Sequence, residues 1–232
     1  MTTLAQAHED LIAAPRPVLF LDTCTLLDLI RAPLRALSLT VQAGIELRDL
    51  ANAGTVQLFV QDIVAGEWND NLASARRDGE TGIRAFTATW QIAIDLAQPA
   101  PAPPVLPPGL LIDELQVLSH ELLTVANVLE RDQDGMSWAI DQVAAKRKPS
   151  SAKGTVKDCH ILGHALQLSS LLQLSAYPNS RLLVSSNRSD FAAPNATVFH
   201  NEILADANAA GLRYATSLEA GIQFLQALGE IP

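Results

Sequence analysis

The feature that most restricts this chain is a four-residue apolar run, Val18-Leu19-Phe20-Leu21, that stops at an acid, Asp22. A run this short and this apolar, bounded by turn-forming residues, reads as a strand buried on both faces, and such strands belong to parallel sheets covered by helices. The pattern recurs. Val56 to Val60 follows the Ala53-Gly54 turn and leads to Asp62, which is suited to cap a helix carrying Glu67. Leu182-Leu183-Val184 stops at Ser185-Ser186-Asn187. Weaker strands are expected at Thr197 to Phe199 and Leu212 to Tyr214, with helices from about Thr25, between the strands and after Ser217. This alternation predicts an α/β fold with a central, mostly parallel sheet covered on both faces.

The middle of the chain departs from the alternation. Ile83, Phe86, Trp90, Ile94 and Ala97 mark one amphipathic helix, Pro99 to Pro108 makes a stiff connection, and Leu111, Leu115, Leu118, Leu122, Val125 and Leu129 follow in 4-3-4-3-4 spacing. The expectation is a helical hairpin inserted at about residues 76–148 of a single domain spanning residues 1–232. Its leucine stripe either packs inside its own subunit or forms the seam of a homodimer.

With 48% apolar residues in 232, the chain can bury a substantial core. Leu96 to Ile112 lacks charge but contains six prolines, and Cys159 to Ser180 is interrupted by His160, His164 and several polar residues, so no membrane span or membrane partner is expected. Glu9 and Asp10 precede a short apolar run where a secretory leader would carry basic residues, which predicts a cytoplasmic protein. The two cysteines, Cys24 and Cys159, read as reduced thiols filling small spaces in the core.

Four acids carry the chemistry. Asp22 and Asp190 each follow a predicted strand, where open parallel sheets bind ligands. Asp158 lies on a helix expected to begin near Thr155, on which, at about 100° per residue, Leu162, Ala165, Leu166, Ile161 and Leu172 all lie within roughly 80° of it. An unpaired carboxylate on an apolar face is costly, and a divalent cation shared with other acids would compensate it; hard oxygen ligands suit Mg²⁺ or Mn²⁺. Glu67 lies at the edge of the stripe made by Val64, Trp68, Leu72 and Ala75, with Asp62 and Asp70 as nearby acids that compete for its role. His160 and His164 have the spacing of a zinc pair but point away from Asp158, toward solvent or another helix. The net charge of −9 argues against indiscriminate nucleic-acid binding, yet Lys146, Arg147, Lys148, Lys153 and Lys157 form an acid-free basic segment leading into Asp158, suited to phosphates.

Leu19-Phe20-Leu21-Asp22-Thr23-Cys24-Thr25-Leu26-Leu27, then Glu67, then Gly154-Thr155-Val156-Lys157-Asp158, then Ser185 to Phe191 resembles the PIN-domain family in order, spacing and local context. The resemblance covers roughly residues 16–75 and 150–216 and leaves the hairpin outside. It implies a three-layer α/β/α sandwich in which Asp22 and Asp158 are the core ligands of Mg²⁺ or Mn²⁺, with Glu67 and Asp190 completing the cluster directly or through water. Thr23 or Ser185 would orient a carboxylate or water, and Asn187 and the basic segment would contact substrate. The activity implied is endonucleolytic hydrolysis of RNA. Two related expectations share the fold: the toxin of a toxin–antitoxin pair, which requires an antitoxin partner, and a catalytically inert module that binds RNA or protein. The proline that often precedes the family's glutamate helix is absent, which leaves Glu67 the loosest match.

Overall fold

A computed structural model describes residues 1–35, 37–97, 107–150 and 156–232 of the chain. Lys153, Gly154, Thr155 and most of the proline-rich connection lie outside the described residues. In chain order the elements are α1 (Leu4–Ala13), β1 (Val18–Leu21), α2 (Thr23–Arg35), α3 (Ser38–Asn52), β2 (Gln57–Gln61), α4 (Asp62–Ala97), α5 (Pro108–Val125), β3 (Asn127–Leu129), α6 (Gln133–Ala144), α7 (Val156–Leu174), β4 (Arg181–Val184), α8 (Arg188–Phe191), α9 (Asn201–Ala210), β5 (Leu212–Ala215) and α10 (Leu218–Ala227).

The five strands form one all-parallel sheet in the order β3-β2-β1-β4-β5, with Phe20 of β1 level with Phe59 of β2 and Leu183 of β4. Parallel neighbours need crossover connections, so helices cover both faces. Leu19 faces α10, where a Cβ on Gly221 would lie 3.7 Å from its side chain. Phe20 and Phe59 stack at 5.8 Å on the other face, beneath Ile161 and Ala165 of α7. From β1 the chain builds outward to β2 and β3, then returns past β1 to lay down β4 and β5. Strand addition therefore reverses between β1 and β4, and such a reversal opens a crevice at the strands' C-terminal ends.

The stretch expected as a helical hairpin is tied into this architecture. The Glu67 helix does not stop before Ile83; it runs through as the 36-residue α4. α5 ends at Val125, and Leu129, the last residue of the expected stripe, sits instead in β3, an edge strand paired with β2. Leu115, Leu118, Leu122 and Leu129 are all buried within the subunit, so the stripe packs inside its own chain. A buried relay, Trp68 Nε1–H to Ser119 Oγ at 2.9 Å and Ser119 Oγ–H to the Leu26 carbonyl at 2.8 Å, links α4, α5 and α2. The strand expected at Thr197 to Phe199 is not formed. The chain turns at Pro194-Asn195, Asn195 taking a positive φ, and only Phe199 makes a bridge, back to Ala192. Among the described residues no helix is long and apolar enough to cross a membrane.

α7 is buried nearly all round, because α1, α6 and α9 cover the side turned away from the sheet. His160 and His164 consequently face α6 rather than solvent. Their rings meet edge to face at 4.5 Å. His164 Nδ1–H donates to the His160 carbonyl at 2.9 Å, and its Nε2 accepts the Asp132 N–H at 2.7 Å, which defines a neutral tautomer. Burial lowers the pKa of His164 and, helped by His164 nearby, pulls His160 down to about 4; Asp62 opposes both shifts, and Arg131 reinforces them. A histidine whose folded pKa is depressed contributes stability that is complete above its unfolded value and is lost as pH falls toward the folded one. His164→Gln, which keeps an acceptor for Asp132, is therefore expected to flatten the loss of stability between about pH 6.5 and 5. Urea denaturation across that range measures it; parallel pH profiles for variant and parent would refute the assignment.

Candidate active site

The crevice between β1 and β4 is lined by residues that the sheet places there. Asp22 follows the last residue of β1, and its N–H continues the ladder to the Val184 carbonyl at 3.2 Å. Ser185 follows β4, fixed from below by the Tyr214 hydroxyl, which donates to its carbonyl at 2.6 Å. The Ser185 hydroxyl donates to Asp22 Oδ2 at 2.6 Å, and the Cys24 thiol donates to the same oxygen at 2.8 Å. Asp22 is buried, so these two donors replace the water that an exposed carboxylate would bind.

The other acids arrive from helices. Asp158 lies in the first turn of α7 and Asp190 in the short α8. One amide joins them: Asn187 Nδ2 donates to Asp158 Oδ1 at 3.3 Å and to Asp190 Oδ2 at 3.0 Å, while the Ser189 hydroxyl holds Asn187 Oδ1 at 2.8 Å. Glu67 enters from the second turn of α4, where the Thr23 hydroxyl donates to its Oε2 at 2.8 Å. Asp62 turns away to pair with Arg131 at 2.7 Å, and Asp70 is exposed, so of these three candidate acids only Glu67 is turned to the crevice.

The four charges interact. Asp158 is pushed up to about 7, first by burial and then by the charges of Asp22, Asp190 and Glu67. Burial also raises Asp22, with Glu67 adding to the rise and the Cys24 and Ser185 hydrogen bonds opposing it. Among the described residues, no three His, Cys, Asp or Glu side chains form a group that could hold a metal ion as they stand. The hydrogen-bonding residues separate the carboxylates into Asp22 on Ser185 and Cys24, Glu67 on Thr23, and Asp158 with Asp190 on Asn187.

Part of the basic segment reaches this cluster. Lys157 Nζ lies 3.0 Å from Glu67 Oε1, and Lys148 Nζ lies 3.5 Å from Asp190 Oδ1 while donating to the Ser189 carbonyl at 2.6 Å. Lys146 and Arg147 are exposed and make no ion pair among the described residues. Two participants went unnoticed in the sequence. Cys24 is a ligand of the Asp22 carboxylate rather than inert filler. Asp28 is buried on α2, pairs with Arg35 and lies close to Ser186 in the loop after β4. Its place in Leu26-Leu27-Asp28-Leu29-Ile30, an acid inside an apolar run, is the signal that marks it.

No protein-family model matches this chain, and no curated protein or solved structure matches it either.

Proposed function

We propose that the chain is a divalent-metal-dependent endoribonuclease of the PIN-like kind, hydrolysing RNA phosphodiester bonds in the crevice between β1 and β4. The observation that carries this reading is the convergence of Asp22, Glu67, Asp158 and Asp190 at the point where strand addition reverses, where burial first and then the other three charges raise Asp158 to about 7. That mutual repulsion is what a divalent cation relieves, and the donors available are hard carboxylate oxygens, which suit Mg²⁺ or Mn²⁺. The donor set suits such an ion in chemistry and in charge, although its carboxylates stand apart on their hydrogen-bond donors; drawn together, Asp22 and Asp158 would hold it, with Glu67 and Asp190 beside them. When bound, the ion supplies charge neutralisation at the phosphodiester and acidifies a coordinated water.

The chain's own residues do the rest. Ser185 and Cys24 fix Asp22 in one rotamer, and Asn187 keeps Asp158 and Asp190 a fixed distance apart. Without an ion, burial and the neighbouring acids let Asp158 keep its proton up to about pH 7; as a ligand it would be ionised, so binding a cation would release that proton. Lys157 and Lys148 bring positive charge to the rim, where an RNA phosphate would otherwise meet only acids.

One specific observation favours a second reading, an inert module of the same fold that binds RNA or protein: Lys157 and Lys148 already pair with two of the four acids. An antitoxin-regulated toxin would share the chemistry of the first reading. Purified protein offered a mixed set of structured and single-stranded RNAs with Mn²⁺ is expected to cleave, and EDTA to stop cleavage. Undiminished cutting in chelator refutes the metal-dependent mechanism; RNA binding without cutting at any Mn²⁺ concentration selects the inert module.

A further inference from the structure

At the end of β4 away from the acids, the fold buries a cation that no carboxylate among the described residues neutralises. Arg181 opens β4 and is 7% exposed. Its guanidinium carries five N–H donors in a rigid fork. Nη2 donates to Gln173 Oε1 at 2.7 Å and Nη1 to the Ser169 carbonyl at 3.4 Å, whereas Nε is buried without any acceptor. Among the described residues it makes no ion pair; Glu230, which the Ser180 N–H and hydroxyl engage, is not its partner. An ionised side chain in such a position is costly unless an opposite charge meets it. Burial lowers its pKa, but a guanidinium starts so high that it stays protonated.

The surroundings are shaped to this group. Gly211 has φ +65°, and a Cβ there would stand 2.4 Å from Arg181 Nη2 and 2.5 Å from Gln173 Oε1, so only glycine leaves room for the pair. The guanidinium borders a cavity of about 350 Å³ whose lining includes Arg213, Gln173, Asn179, Ser180 and Asn208. Beside Arg181 the lining offers the neutral polar side chains of Gln173, Tyr177, Asn179, Ser180 and Asn208 and no carboxylate, while the Arg213 guanidinium lies over the Phe224 ring at 5.8 Å.

The geometry points to an oxyanion-binding site in this cavity, taking a phosphate group carried on a small molecule, with Arg181 as its buried anchor. Arg–phosphate pairs are strong because the planar fork matches the oxygens; Nε is closed off, and the N–H groups of Nη1 and Nη2 not spent on Ser169 and Gln173 are the donors left for that role. The volume exceeds a bare phosphate and falls within the range of small-molecule pockets, roughly 300 to 1,000 Å³, which favours a nucleoside monophosphate over the free ion. The site is separate from the acids: Arg181 and Ser185 are four residues apart along an extended strand, roughly 13 Å. It stands whether or not the chain is a nuclease.

The test is calorimetric titration, with parallel thermal melts, of inorganic phosphate and of adenosine 5′-monophosphate into the full chain. EDTA keeps metal-mediated binding off the acid cluster, and chloride at matched ionic strength is the control. Saturable binding is expected, weakened about tenfold or more by Arg181→Met. Asn179→Asp sets a carboxylate in the lining without disturbing the buried guanidinium and is expected to weaken binding as well. Tighter binding of the nucleotide identifies it as the ligand, and equal affinity means that the phosphate group alone is recognised. No saturable binding of either compound by the parent overturns the site. So does unchanged affinity in Asn179→Asp, which decides the matter if Arg181→Met fails to fold.

Discussion

Asp158→Asn is expected to lower metal-dependent RNA cleavage by on the order of 10³-fold or more while leaving the metal-free protein as stable as its parent, or more stable. The two effects share one cause. Asp158 is held among Asp22, Asp190 and Glu67 in a partly desolvated site, and its carboxyl is pushed up to about 7 from the usual carboxylate range. A carboxyl whose folded pKa exceeds its unfolded one favours the native state only when protonated. The penalty is absent below about pH 4, grows as pH rises, and is complete above about pH 7. Asparagine keeps an oxygen for Asn187 to donate to and carries no charge, so its advantage over aspartate should grow across that window. Above pH 7 it reaches on the order of 2 to 4 kcal/mol, less whatever solvent screens. Saturating Mn²⁺ should reverse the order, since an ion bound only by the native state stabilises the protein that retains its site. Melts of both proteins at pH 5 and 8, with EDTA and with excess Mn²⁺, separate these terms. A clear loss of metal-free stability at pH 8 in Asp158→Asn would make Asp158 a structural acceptor and remove the central residue of the proposed site.

The largest stability effect is expected where α4 crosses α2. At Gly79 a Cβ would stand 2.4 Å from the Ile30 carbonyl oxygen, and at Gly82 it would stand 2.2 Å from the Leu34 nitrogen. These obstacles are backbone atoms, which cannot rotate aside, so adding one methyl at each position must push two helices apart. The double substitution Gly79→Ala, Gly82→Ala is expected to cost more than about 3 kcal/mol, at or beyond the upper end of ordinary overpacking. Gly66→Ala, on the same helix, meets nothing within 4 Å and should instead stabilise by up to about 1 kcal/mol through helix propensity. The opposite signs make the experiment decisive. Equal effects from the two in urea denaturation would mean that α4 does not lie against α2 as described. Because α4 also carries Glu67, separating the helices should draw that carboxylate away from Thr23 and Asp22.

Much of the sheet was legible because its signals are local. Val18–Leu21, Gln57–Gln61, Arg181–Val184 and Leu212–Ala215 are short apolar runs between turn residues, and buried parallel strands write themselves that way. The four acids were legible for a related reason: each sits at the end of such a run or on an apolar helix face, where a charge needs an explanation. Placing Thr23 and Ser185 as groups that orient carboxylates agrees with the contacts each makes.

What escaped the sequence depends on partners distant along the chain. β3 is three residues long, and nothing in Asn127-Val128-Leu129 marks it as a strand until β2 offers a parallel edge. The second face of α7 carries histidines and reads as polar, but α6 covers it, and Gly135 and Gly163 let the two helices close on each other. The basic segment reads as one patch, yet folding sends Lys157 to Glu67, sends Lys148 to Asp190 and leaves Lys146 and Arg147 in solvent. Arg181, heading an apolar run, looks like a residue that stays outside; packing of α7 and the β5 turn over β4 buries it. The sequence by itself determined the α/β class, four of the five strands and the identity of the acids, because hydrophobic periodicity and turn chemistry act over a few neighbouring residues. Tertiary structure alone decided the strand order that sets Asp22 beside Ser185, which lysine meets which acid, and which charges are buried, because those depend on contacts between segments far apart along the chain, 163 residues in the case of Asp22 and Ser185.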